Sequence, residues 1–176
     1  MAQVGNLRYF RNRGDNMEAF YQTVATFCFT LLGLWWGVVQ FRHSDWMADP
    51  NWRRMAYSVQ LSLIVPGAMS LGAQTAGEVK IIWRLVFVVT CGLGIVAQVY
   101  LSQATRSRPY RGWFLRNGRW MMAGVYALIA VVAFAPEIAQ QLDPKLTALQ
   151  VEGLLLTLVV FLSVSFVWDL LAEPKE

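Results

Sequence analysis

Charge is absent from long stretches of this chain. Between Glu18 and Arg42 lie 23 consecutive uncharged residues, Ala19 to Phe41, and apolar runs separated by short charged clusters continue to the end. A helix rises about 1.5 Å per residue, so about 20 apolar residues cross a hydrocarbon core of about 30 Å. Reading between charges therefore gives five candidate spans, residues 19–41, 55–77, 81–104, 120–136 and 146–171. A soluble domain is about one quarter charged; here 15% of residues are charged and 56% are hydrophobic. The sequence predicts an all-α fold, a polytopic transmembrane helical bundle forming one integral-membrane domain over residues 1–176. An ordinary soluble enzyme, a disordered chain and a disulfide scaffold are excluded.

The second run is the weakest. It holds Ser58, Gln60, Ser62, Ser70, Gln74 and Thr75 and a central Pro66-Gly67 pair, so an alternative has four spans plus a re-entrant or interfacial helix at 55–77. The positive-inside rule does not choose. Five spans with the N-terminus outside, and four with it inside, each place nine of the 15 cations on the inner side. Both put the arginine-rich loop 106–119 and the C-terminus in the cytoplasm of a plasma or bacterial inner membrane. The run Ala19 to Phe41 exceeds a signal-peptide core and ends without a small-residue cleavage site, so it is read as retained. Asn6 to Glu18 reads as a frayed tail or a short interfacial helix.

Few residues suit chemistry. Cys28 and Cys91 sit in mid-span, where a thiol behaves as a small hydrophobe. His43, the only histidine, could recruit just the loop carboxylates of Asp45 and Asp49, a poor transition-metal set. No metal, no cofactor and no catalytic residue is expected. Ionisable groups inside the bilayer are functional candidates by default, and Arg84, Glu152 and Asp169 intrude on spans. Arg84 and Glu152 fall at similar depth on the outer side and are expected to form an intramembrane ion pair, with Lys80 or Glu78 nearby. Otherwise Arg84 snorkels to the interface and Glu152 faces a vestibule or is partly protonated. Asp169 reads as a boundary residue.

Periodicity is sharpest in the first span. Thr26, Thr30, Gly33, Gly37 and Gln40 follow at spacings of four, three, four and three, which puts small and polar groups on one helix face. Such a face packs another helix in lipid or lines a pore between copies of the chain. In the second run Pro66 and Gly67 should kink or break a helix and force it into the interior, with Ser62, Ser70 and Gln74 as the side chains of this broken segment. The loop cations Arg106, Arg108, Arg111, Arg116 and Arg119 are interleaved with aromatics beside two spans. They suit anionic lipid rather than nucleic acid, and Trp46, Trp52, Trp83, Tyr100, Trp113, Trp120 and Trp168 suit an interfacial aromatic belt. Two functions fit: a homo-oligomeric channel or transport protein for ions or small solutes, and a non-catalytic scaffold or accessory subunit of a larger membrane complex.

Overall fold

The computed structural model describes residues 2–48, 50–75, 80–104, 113–138 and 147–172. Six helices form there: α1 (Ala2–Phe41), α2 (His43–Ala48), α3 (Pro50–Thr75), α4 (Lys80–Ala104), α5 (Trp113–Phe134) and α6 (Ala148–Ala172). No strand occurs among the described residues. Stretches Gly14–Phe41, Trp52–Thr75, Ile81–Val99 and Ala148–Asp169 are long and apolar enough to cross a membrane, and a shorter apolar stretch, Trp120–Phe134, lies in α5. This is a helical membrane protein.

The helices alternate in direction. Trp35 Nε1 donates to the Ala56 carbonyl at 3.3 Å, while Cys28 Cβ lies 3.3 Å from where a Cβ on Gly67 would sit. Along α1 and α3 the numbers therefore run oppositely. The same holds for α3 and α4, where Gly72 meets Val86 and Ser58 meets Gln98, and for α4 and α5, where Gly94 meets Tyr126 and Gln98 meets Met122. In contrast α1 and α6 run parallel: Tyr21 reaches Leu149 at one end, and Leu31, Trp35 and Val38 share a cleft with Val164 and Val167 at the other. Four antiparallel steps along α1, α3, α4, α5 and α6 produce that parallel pair, with α3 a full-length member of the series rather than a re-entrant segment.

Helices α3, α4, α5 and α6 close a ring, each packed on the next, and α1 lies outside against α3 and α6. Burial follows this plan. Of the most apolar window of α3, 67% is buried, against 17% for α1, 28% for α4 and 39% for α6, so the most polar span is the central one. Its serines are tolerated because protein, not lipid, surrounds them.

Residues 50–75 form an unbroken helix, which corrects the expectation of a broken segment. Pro66 has no N–H to give the Ser62 carbonyl one turn earlier. Ser163 of α6 donates its hydroxyl to that carbonyl at 3.1 Å while sharing it with Val159 O at 2.8 Å. A neighbouring helix thus supplies the missing donor, and the backbone keeps its helical path.

Two other expectations change. Residues Asn6 to Glu18 are part of α1, not a tail. The segment after Arg42 is the short helix α2, whose Trp46 packs against Trp35 and Trp52 with ring centroids 5.6 and 5.7 Å apart, the second pair being stacked. Arg42 lies 5.8 Å above the Trp46 ring. Trp46 and Trp83 are accordingly core residues at 2% and 6% exposure, whereas Trp120 and Trp168 at 61% and 72% remain on the outside as a belt requires.

Candidate functional site

Helix α6 begins with a reciprocal cap. Thr147 N–H donates to Gln150 Oε1 at 3.0 Å, and Gln150 N–H faces Thr147 Oγ1 at 3.4 Å, the Thr-x-x-Gln form of a capping box. This fixes the register of the next turn. Tyr21 then donates its hydroxyl to the Leu149 carbonyl at 2.7 Å, and Gly153 lets the Phe20 ring come so close that a Cβ would lie 2.9 Å from it. Cap, tyrosine and glycine together seat the start of α6 against α1 and turn Glu152 inward.

Glu152 is fully buried, at 0% exposure. Neither carboxylate oxygen has a hydrogen-bond partner. Arg84, in the second turn of α4, is within electrostatic reach of Glu152, so the two predicted partners share one level of the bundle. No hydrogen bond joins them. The Arg84 guanidinium instead lies 5.7 Å from the ring of its neighbour Trp83, and its Nε is buried without a partner. Glu78 lies outside the described residues, and for Lys80 only the backbone is described. Ser70 Oγ, one turn deeper by the α3–α4 register, is also unpartnered. The Gln74 amide donates to the Ser70 carbonyl at 3.1 Å.

The other half of the interior is different. Ser58 Oγ donates to Gln98 Oε1 at 3.4 Å, Gln98 Nε2 lies 3.8 Å from Met122 Sδ, and Ser62 Oγ donates to Val59 O at 2.7 Å. Every one of those groups is satisfied. Between the two polar levels the ring is filled by Met69, Phe87, Cys91, Ile129, Leu156 and Val159, all fully buried. Cys28 and Cys91 are free thiols within this apolar packing, and among the described residues no cluster of His, Cys, Asp or Glu could hold a metal.

The first-span stripe lies on the opposite side of its helix from all of this. At about 100° per residue, Thr26, Thr30, Gly33, Gly37 and Gln40 point on average about 145° away from the buried Tyr21, Ala25, Cys28 and Trp35. Thr26, Thr30, Gly33 and Gln40 are exposed, and a Cβ on Gly33 or Gly37 would meet nothing within 4 Å. Thr26 and Thr30 donate to the carbonyls of Gln22 and Thr26 at 2.9 and 2.8 Å, so each hydroxyl is satisfied within the helix. Phe27 and Leu34 flank the stripe on one side, Phe29 and Trp36 on the other, all exposed.

Arg106, Arg108 and Arg111 lie outside the described residues; Arg116 and Arg119 fall in the first two turns of α5, where the backbone alone is described. Asp169, half-buried, ends the apolar stretch of α6. Sequence reasoning missed Tyr21, the Thr147–Gln150 cap and the Ser163–Ser62 contact. The Thr-x-x-Gln spacing was legible, and the proline at 66 implied an orphaned carbonyl at 62, but the donor on another helix left no local signal.

No protein-family model, no curated protein and no solved structure matches the chain.

Proposed function

We propose that the protein works by docking a second membrane helix along the outward face of α1, as a non-catalytic scaffold or accessory subunit of a larger membrane complex. The observation that carries this is the direction of the Thr26–Gln40 stripe. In lipid, helices associate where small residues let backbones approach, and here such a face is spent on nothing inside the protomer. Satisfied threonine hydroxyls and flanking aromatic ridges make a shallow groove that a helix can enter without stranding a polar group. With five passes, the larger number of cations on one side supports a topology in which the start of α1 is outside and the arginine-rich loop 106–119 and the C-terminus are cytoplasmic, next to the anionic lipids of a plasma or bacterial inner membrane.

A homo-oligomeric channel or transport protein is the second reading. It is favoured by the hydroxyls on that same stripe, which would line a pore between copies. The interior of one protomer gives it no support, since the level between the two polar layers is filled with apolar side chains. Native-membrane extracts separate the two. Co-purification of another membrane protein, lost in Gly33→Leu and Thr30→Leu, with no ion or solute flux in liposomes, is the expected result. A closed ring of identical copies that conducts in liposomes would overturn the scaffold reading.

A further inference from the structure

The buried polar groups differ in how they are satisfied. Ser58, Ser62, Gln98 and Ser163 are hydrogen-bonded; the two oxygens of Glu152, Arg84 Nε and Ser70 Oγ toward the start of α6, and Tyr126 Oη deeper in the bundle, have no partner. A carboxylate held in an apolar bundle without hydrogen bonds is strongly unfavourable. Only two changes relieve it: a cation moves onto it, or it takes a proton.

The surroundings supply one of each. Arg84 is half-buried, and among the described residues its guanidinium makes a ring contact with Trp83 and no hydrogen bond to Glu152, so it can close on Glu152 or withdraw. The route for a proton is short, because Glu152 stands one turn, about 6 Å, from the start of α6. Among the described side chains, other titratable groups facing this level are few. From α1 come Tyr21, within electrostatic reach of Glu152, and the exposed Glu18. From α4 come Arg84 and Cys91, the latter also within reach. From the α5 side come Tyr126, deeper and next to Cys91, and the exposed Glu137. The adjoining half of α3, Gly67 to Thr75, contains none.

We propose that Glu152 is a proton-binding site inside the bundle, with the Arg84 guanidinium as the counter-charge that takes the proton's place when it leaves. The step is a proton transfer alone. The carboxyl O–H bond breaks, its electron pair stays on the carboxylate, the proton passes to water at the end where α4 and α6 begin, and Arg84 closes on the anion. Rebinding of a proton frees Arg84 again. The ligand needs no cavity, and the site stands independently of the docking face on α1.

The test uses the intact protein in liposomes and dicyclohexylcarbodiimide, a lipid-soluble reagent whose C=N bond adds the O–H of a protonated carboxyl in an apolar setting. Mass spectrometry should find the adduct on Glu152, with a rate that falls at least tenfold as the pH is raised, none in Glu152→Gln, and labelling that persists to more alkaline pH in Arg84→Gln. Infrared difference spectra on a pH jump read the same proton without reagent access, as a protonated-carboxyl band missing in Glu152→Gln. A wild-type protein with neither the adduct nor the band overturns the proposal. So does an Arg84→Gln titration that superimposes on the wild type in both measurements.

Discussion

Replacing Ser163 by alanine should destabilise the bundle through a carbonyl on another helix. Pro66 leaves the Ser62 carbonyl without its helical donor, and the Ser163 hydroxyl fills the gap at 3.1 Å. Both serines are buried, at a depth where no bulk water can substitute. Interhelical hydrogen bonds in membranes contribute about 0.6 kcal/mol on average and about 1.7 at most, while a stranded buried acceptor costs about 1–3 kcal/mol. The expected loss is therefore about 1–2 kcal/mol. In a Pro66→Ala background the new N–H at position 66 restores the intrahelical bond, and Ser163→Ala should then cost less than about 0.5 kcal/mol. The bond from Ser163 to Val159 O is lost in both backgrounds and cancels. Equilibrium unfolding in mixed detergent micelles, run as a double-mutant cycle, should give a coupling of about 1 kcal/mol. Equal costs of Ser163→Ala in the two backgrounds would refute the idea that α6 completes the backbone of α3.

Three further substitutions follow from the same packing. Gly72→Ala sets a Cβ 3.1 Å from Val86 Cβ and closer still to its Cγ1, so it should cost about 1–3 kcal/mol by overpacking, most of it recovered by adding Val86→Ala. Trp46→Ala removes the middle ring of the Trp35–Trp46–Trp52 group and should cost about 3–5 kcal/mol, with loss of the near-ultraviolet circular dichroism that stacked indoles give. Gly33→Leu, with nothing within 4 Å of its Cβ position, should change protomer stability by less than about 0.5 kcal/mol; a larger loss in unfolding experiments would mean that α1 packs differently.

The spans were legible because a charge in the bilayer is expensive wherever it lies in the fold. Positions 19–41 and 85–104 needed only an absence of Arg, Lys, Asp and Glu to be read. Position 66 was misjudged by the same local logic: proline does remove a bond, but whether a helix breaks depends on who else can donate, and Ser163 is 101 residues away from Ser62. Trp46 was misjudged likewise. Near a segment end an indole reads as a membrane anchor, yet α2 folds it back onto Trp35, a contact set by tertiary packing. The Arg84 and Glu152 pairing was half legible, since helix direction and distance from the helix start place both at one level, but the side-chain torsions that would bring the guanidinium onto the carboxylate leave no trace in sequence.

Periodicity has the same limit at α1, and there the missing information bears on function. A spacing of four, three, four and three shows that Thr26 to Gln40 share a face; it cannot show what the face meets. The helix has an equally regular second face, Tyr21, Ala25, Cys28, Leu32 and Trp35, and only one of the two can lie against α3 and α6. The packed interior takes the larger side chains because burying Tyr21 and Trp35 removes more apolar surface from competition and gives each polar tip a backbone carbonyl, Leu149 and Ala56. Small residues gain little against a neighbour that already has aromatics to pack. They gain most where two backbones can approach as equals, which is what the proposed docking of a second helix on this face requires.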